Sequence, residues 1–125
     1  MSVQGVIFDA YGTLFDVHSI GKRAEQLFPG QGATISNVWR DKQIEYSRIV
    51  SLADPGSSGS RYYRTFWELT RAALEYALQR SGVRYSAPEV DDLMQGYSRL
   101  EAFPECARAL DAIRSKGVAT AILSN

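Results

Sequence analysis

Cysteine and histidine occur once each in this chain of 125 residues, as Cys106 and His18, and neither sign of charge prevails, fourteen Lys and Arg balancing fourteen Asp and Glu. One cysteine leaves no intramolecular disulfide and no cysteine-based metal cluster, so Cys106 is expected to be a small buried hydrophobe in a helix. Any histidine-dependent triad or metal site would have to recruit His18. No basic stripe follows a predicted helix, which argues against a nucleic-acid partner. No apolar run approaches the roughly 20 residues of a transmembrane helix, and Met1 leads to the first strand without a charged-then-apolar leader. The expectation is a cytoplasmic protein with no membrane partner. Internal repeats and low-complexity tracts are also missing, apart from a short Gly/Ser-rich stretch over residues 54–60, which reads as a loop.

What is present is a globular composition, 45% hydrophobic and 22% charged. Val3 to Phe8 is β-rich and almost continuously apolar, the pattern of a strand covered on both faces. Four helices are expected after it. Ile20 to Phe28 is closed by Pro29-Gly30. Thr34 to Leu52 has an apolar side set by Ile35, Trp39, Tyr46 and Ile49. Tyr62 to Arg80 places Phe66, Leu69, Ala73, Tyr76 and Ala77 on one side, with Gly82 beyond its end. The fourth begins at a capping box, Ser86 with Glu89, and runs to about Tyr97. A fifth helix, Pro104 to Lys116, ends at Gly117 and leads straight into a second strand, Val118 to Leu123.

The order of elements is a strand–helix–strand crossover with a helical insertion. Residues 1–15 and 100–125 are expected to form a parallel-sheet α/β core, and residues 16–99 a helical lobe. Both strands present polar side chains at their carboxyl ends, Asp9 after the first and Ser124-Asn125 after the second, where open parallel sheets hold their ligands. Two apolar strands fall short of the three or more that a sheet needs to stand alone. Unpaired edges invite pairing with other chains, so the isolated 125-residue polypeptide is expected to aggregate or swap strands.

Asp9 read alone is equally a turn residue bonding its own backbone. Its context favours chemistry. The string Asp9-Ala10-Tyr11-Gly12-Thr13-Leu14-Phe15-Asp16, with Ser124-Asn125 closing the next strand, resembles the haloacid dehalogenase superfamily, in which the aspartate after the first strand attacks the substrate and forms a covalent ester. The resemblance spans the whole chain and implies an α/β, Rossmann-like core with an inserted helical cap.

Within that superfamily phosphatases carry a second aspartate two residues after the nucleophile, where it protonates the leaving alcohol. This chain has Tyr11 there, and a phenol is a poor substitute for that acid. The string is instead similar to the L-2-haloacid dehalogenases, which use no metal or other cofactor. Trp39-Arg40, followed by Lys42-Gln43 and Glu45-Tyr46, strengthens the match. The resemblance implies that Asp9 displaces halide from a small 2-haloacid, that Arg40 receives the halide and contacts substrate, and that Thr13 donates a hydrogen bond beside the nucleophile. It also implies that Ser124 and Asn125 hold the substrate carboxylate or orient Asp9, that Ala10 and Tyr11 line the substrate pocket with Phe66 and Trp67, and that the protein is a homodimer.

Asp41 departs from the pattern, standing where such dehalogenases tend to have glutamine. The resemblance also implies a lysine and further polar groups after later strands. These 125 residues hold none of those positions, so the segment by itself is expected to be inactive. A magnesium-dependent phosphatase of the same superfamily and a non-catalytic assembly module stay open as alternatives.

Overall fold

The elements follow in the order β1 (Gly5–Phe8), α1 (Gly21–Leu27), α2 (Gly32–Ala53), α3 (Phe66–Arg80), α4 (Ala87–Tyr97), α5 (Cys106–Arg114) and β2 (Ala119–Ile122). The structure is a computed structural model that describes residues 3–53 and 61–124. The loop expected over 54–60 and the site residue Asn125 lie outside the described residues. The fold is α/β, with a parallel sheet interrupted by a helical insertion. No helix among the described residues is long and apolar enough to cross a membrane.

The chain divides into two units. One comprises residues 1–19 and 100–125, the other residues 20–99. Residues 16–19 stay with the first because Asp16 N–H donates to Glu101 O at 2.8 Å, and Glu101 N–H donates to Ser19 Oγ at 3.1 Å.

In the α/β unit, β1 and β2 pair in parallel, Gly5 opposite Ala119 through Phe8 opposite Ile122. Helix α5 packs against β2, and Gly117, at φ +72°, gives the left-handed turn between them. Strand side chains alternate between faces. Val6 and Phe8 are half-buried, whereas Ile7 is 68% exposed and Ile122 58%. Cover on both faces was expected from the apolar run. Among the described residues the sheet lacks it, because α5 is the one helix of this unit.

The helical lobe is packed differently. Helices α2 and α3 form its main contact, with α1 laid on α2 and α4 touching both α1 and α3. Ile35, Trp39, Ala73, Leu74, Ala77, Leu78, Val90, Leu93 and Met94 are almost fully buried. Each large apolar side chain hidden in this way stabilises the lobe by about 1.5–3 kcal/mol.

Helix ends are set by local chemistry. Ser86 caps α4 as expected, its N–H and Oγ both bonding the Glu89 carboxylate at 2.7 Å. Thr65 does the same for α3. Its Oγ1 accepts from Glu68 N–H at 3.2 Å, while Glu68 Oε2 accepts from Thr65 N–H at 2.7 Å. This box starts the helix at Phe66 rather than at the expected Tyr62.

Two faces also differ from the expected pattern. The buried residues of α2 end at Gln43, leaving Ile49 and Leu52 exposed. Periodicity marks an apolar side but not whether a neighbour reaches it. At 1.5 Å per residue α2 is about 33 Å long and α3 about 22 Å, so one outlasts the other. Tyr76 is exposed, with the Lys42 ammonium 4.7 Å from its ring centroid, and Thr70, Leu74 and Leu78 occupy the buried side of α3.

Candidate active site

Strand β1 ends by delivering Asp9 onto a tight loop built around one carbonyl. Ala10 O accepts from the N–H groups of Leu14 at 2.9 Å, Phe15 at 3.0 Å and Thr13 at 3.4 Å, and Gly12 N–H returns to Phe15 O at 2.8 Å. Gly12 takes φ +85° to close it, a backbone state that costs other residues strain. Ala10 and Leu14 are buried and anchor the loop, which leaves Asp9 and Thr13 exposed and Tyr11 half-buried.

The second strand meets the first at the same end. Leu123 N–H donates to Phe8 O at 2.8 Å, so Ser124, exposed, leaves the sheet beside the start of the Asp9 loop. The structure therefore brings Asp9, Ala10, Tyr11, Thr13 and Ser124 to the carboxyl edge of the sheet, the place expected for a ligand.

A segment far along the chain holds the loop from behind. Phe103 N–H donates to Leu14 O at 3.0 Å, and Phe15 bridges to Ala102. The Cys106 thiol lies 3.4 Å from Leu14 O and 3.7 Å from Thr13 O. Cys106 is buried, as expected, at the first turn of α5. Asp16 shapes the exit of the loop, its Oδ1 accepting from His18 N–H at 2.9 Å.

In the helical lobe Arg40 is half-buried on α2, and its guanidinium is not loose. Nη1 donates to Gln43 Oε1 at 2.8 Å. Gln43 is wholly buried, as is Thr70, and the two are joined by a 2.7 Å bond from Gln43 Nε2 to Thr70 Oγ1. Tyr97 OH donates to the same Gln43 oxygen at 2.8 Å, and Trp39 Nε1 donates to Thr70 O at 2.8 Å. A Trp39–Tyr97 ring contact at 5.0 Å closes the group.

The remaining site expectations fall around this lobe. Phe66 opens α3, half-buried, and its carbonyl accepts from Thr70 Oγ1 at 2.7 Å. Trp67 is 44% exposed. Asp41 is exposed and lines a groove of about 410 Å³ with Ile44, Glu45, Arg48, Ile49 and Leu52. Consecutive helical side chains diverge by about 100°, and Asp41 thus sits in a different setting from the Arg40–Gln43 pair. No cluster of three or more His, Cys, Asp or Glu able to hold a metal occurs among the described residues.

A family model for haloacid dehalogenase-like hydrolases matches residues 3–125. The chain belongs to the haloacid dehalogenase-like hydrolase family. It is 40% identical over 123 residues to the (S)-2-haloacid dehalogenase of Xanthobacter autotrophicus, a match covering 98% of this chain and 45% of that protein. Among solved structures it superposes on the L-2-haloacid dehalogenase RSc1362 with a TM-score of 0.89 at 47% identity, covering 100% of this chain and 54% of that one. The Xanthobacter autotrophicus L-2-haloacid dehalogenase with chloropropionic acid covalently bound gives a TM-score of 0.82 at 39% identity, over 98% of this chain and 46% of that one. The chain spans about half the length of the relatives it matches.

Against the haloacid dehalogenase-like pattern, sequence reasoning took Gln43 only as part of a motif, and it did not single out the buried contacts that Gln43, Thr70 and Tyr97 make beneath Arg40. A signal existed for the first. Ile35, Trp39 and Gln43 recur every four residues, so a glutamine continues an apolar stripe into the core of the lobe. A polar residue in such a place needs partners.

Proposed function

We propose that the protein containing this chain hydrolyses short L-2-haloalkanoic acids to D-2-hydroxy acids through an ester on Asp9, the 20–99 unit acting as a cap. The observation that carries the reading is Asp9 exposed at the carboxyl end of β1, on a loop in which Ala10, Gly12, Thr13, Leu14 and Phe15 are held by backbone bonds. The likeness to a dehalogenase with chloropropionic acid covalently bound supports it.

A carboxylate is a weak nucleophile in water, so its reactivity must come from position and from exclusion of competing solvent. The fixed loop supplies position. One Asp9 oxygen attacks C2 of the haloacid from the side opposite the halogen, the new C–O bond forms, and the C–halogen pair of electrons leaves as halide. Charge grows on the departing halogen, and the Arg40 guanidinium stabilises it where it develops. Thr13 and Ser124, with Asn125, hold Asp9 or the substrate carboxylate.

Water then adds to the Asp9 carbonyl carbon and the acyl C–O bond breaks. The original Asp9 oxygen departs in the product, one water proton moves to that oxygen, and the second is released to solvent. Configuration at C2 is inverted. The water oxygen stays in the Asp9 carboxylate.

The test is single-turnover hydrolysis of L-2-chloropropanoate by the intact protein in ¹⁸O-water. One labelled oxygen in the peptide containing Asp9, with chloride release that needs no added magnesium, is the expected result. Label found only in the product after one turnover, or phosphate release stimulated by magnesium in place of chloride release, would refute the reading.

A further inference from the structure

Arg40 owes its role in the proposed reaction to its charge, yet a guanidinium on a flexible stem stabilises a leaving anion only if it is held where the charge appears. We propose that Gln43 is a positioning residue for Arg40, and that Thr70 and Tyr97 fix the Gln43 amide from beneath. The inference rests on the dehalogenation reading and names the device that aims its halide-stabilising group.

The polarity of the network allows one arrangement. A guanidinium only donates, so Gln43 must turn its oxygen toward Arg40. At the other end the Phe66 carbonyl only accepts, so Thr70 Oγ1 spends its proton there and must accept from Gln43 Nε2. Both ends select the same orientation of the amide. Tyr97 OH adds a second donor to Gln43 Oε1, and the indole of Trp39 holds the Tyr97 ring. The amide cannot flip without setting its N–H₂ against Arg40 and its carbonyl against Thr70 Oγ1.

A bland account would make this an ordinary bond between residues three apart on one helix. Burial argues against that. Gln43 has no exposed surface, and its position continues the Ile35–Trp39 stripe, where a Leu or Met would fill the same space. Burying an amide brings a desolvation penalty that an apolar side chain would avoid. Here every described partner of that amide leads to Arg40 or restrains a group that does. Hydrogen bonds to charged groups are worth about 1.5–3 kcal/mol, so losing this one converts to about a tenfold to hundredfold loss of rate if the bond serves the transition state.

The experiment compares Gln43→Met and Tyr97→Phe with Arg40→Lys in the intact protein, using L-2-chloropropanoate and L-2-bromopropanoate. Gln43→Met should lower kcat on the chloro acid by about tenfold or more, with a smaller change in KM. The loss on the bromo acid should be smaller, since bromide leaves more easily and needs less help. Added to Arg40→Lys, Gln43→Met should bring little further loss, because the group it aims is already altered. Tyr97→Phe should change the rates in the same sense by a smaller factor, and it keeps the ring packed if the Met variant fails to fold.

A second arm reads position without activity. Rotation of the Arg40 guanidinium about its Nε–Cζ bond, followed by ¹⁵N NMR, should be slow in the unchanged protein and several times faster in either variant. Equal losses on both halides that multiply with Arg40→Lys would mean general loosening of the lobe and overturn the proposal. Unaltered kcat or unaltered guanidinium rotation would overturn it as well. Absent halide release from the unchanged protein would sink the dehalogenation reading instead, and the rotation measurement would still decide what Gln43 does.

Discussion

The helical lobe and the α/β unit of this chain solve opposite problems. The lobe hides its apolar side chains, with Ile35, Ala73, Leu74, Ala77, Leu78 and Leu93 at 0% exposure. The α/β unit buries Ala10, Leu14, Val17 and Cys106 around the Asp9 loop while Ile7, Ile122 and Leu123 stay largely exposed. Stability is thus concentrated in one unit and the candidate nucleophile in the other. A loop held by backbone bonds to a single carbonyl can present a reactive carboxylate without a large core of its own, whereas the helices of the lobe stay together through the side chains between them.

Four substitutions, one of them followed across pH, probe that division, and the largest effect belongs to Asp9. In the intact protein Asp9→Asn should abolish halide release, by roughly 10⁴-fold or more, the scale on which removal of a nucleophile acts. The melting temperature should hardly move, since Asp9 is exposed and anchors no packing. A variant that retained activity, or one that lost it only by unfolding, would break the assignment of chemistry to this loop.

Leu74→Ala is the converse. Leu74 is fully buried in α3, and truncation there should lower stability by about 2–5 kcal/mol, measured by urea unfolding with an unchanged m-value. Asp9 chemistry should survive wherever the protein remains folded. A stability change below about 1 kcal/mol would mean that the core of the lobe can collapse around the cavity, and the contrast between the units would weaken.

Much of both units was legible in the sequence, for identifiable reasons. The roles expected of Asp9 and Thr13 came from the family resemblance of the whole string, whereas the tight turn after β1 was readable because an apolar strand, a carboxylate and Gly12 lie within a few consecutive residues. The Ser86–Glu89 box and the Gly117 turn were readable on the same grounds. Thr65–Glu68 has the same S/T-x-x-E spacing, but apolar periodicity alone set the expected start at Tyr62, and periodicity does not mark the first residue of a helix. Long-range matters were less visible. Nothing local to α2 says that Gln43 meets Thr70 and Tyr97, 27 and 54 residues away, or that its Ile49 end outlasts α3. The apolar strands predict cover that depends on elements packed against them, and strand residues alone do not specify those.

Helix capping sharpens the account of the lobe at a smaller scale. Thr65→Ala removes the side chain that accepts Glu68 N–H and should cost about 1 kcal/mol, read as a lower urea midpoint. Hydrogen exchange should quicken in the first turn of α3 and remain unchanged in α4, whose own box is intact. Equal acceleration in both helices would show that the lobe opens as one unit rather than fraying from the cap.

The smallest effect concerns the turn between α1 and α2, where Glu25 uses both carboxylate oxygens on backbone donors, Oε1 on Gly30 N–H and Oε2 on Gly32 N–H. The approach is close. A Cβ on Gly32 would lie 2.6 Å from Gly21 O, so the start of α2 tolerates no side chain there. The backbone bond from Gly30, followed by that from Gly32, holds the Glu25 carboxyl below its ordinary value of 4.5, against a weaker opposing effect of burial. A carboxylate whose folded-state pKa is depressed adds stability that is present above the unfolded value and is lost as pH falls through the folded one. Glu25→Gln should therefore melt at a lower temperature than the unchanged protein at neutral pH, because an amide offers one accepting oxygen and sets N–H against the second donor. The gap should narrow as pH drops below about 4.5 and close once the native carboxyl is protonated. A gap that stayed constant across the acid range would assign the effect to side-chain shape instead of charge, and one that widened would contradict the sign of the shift.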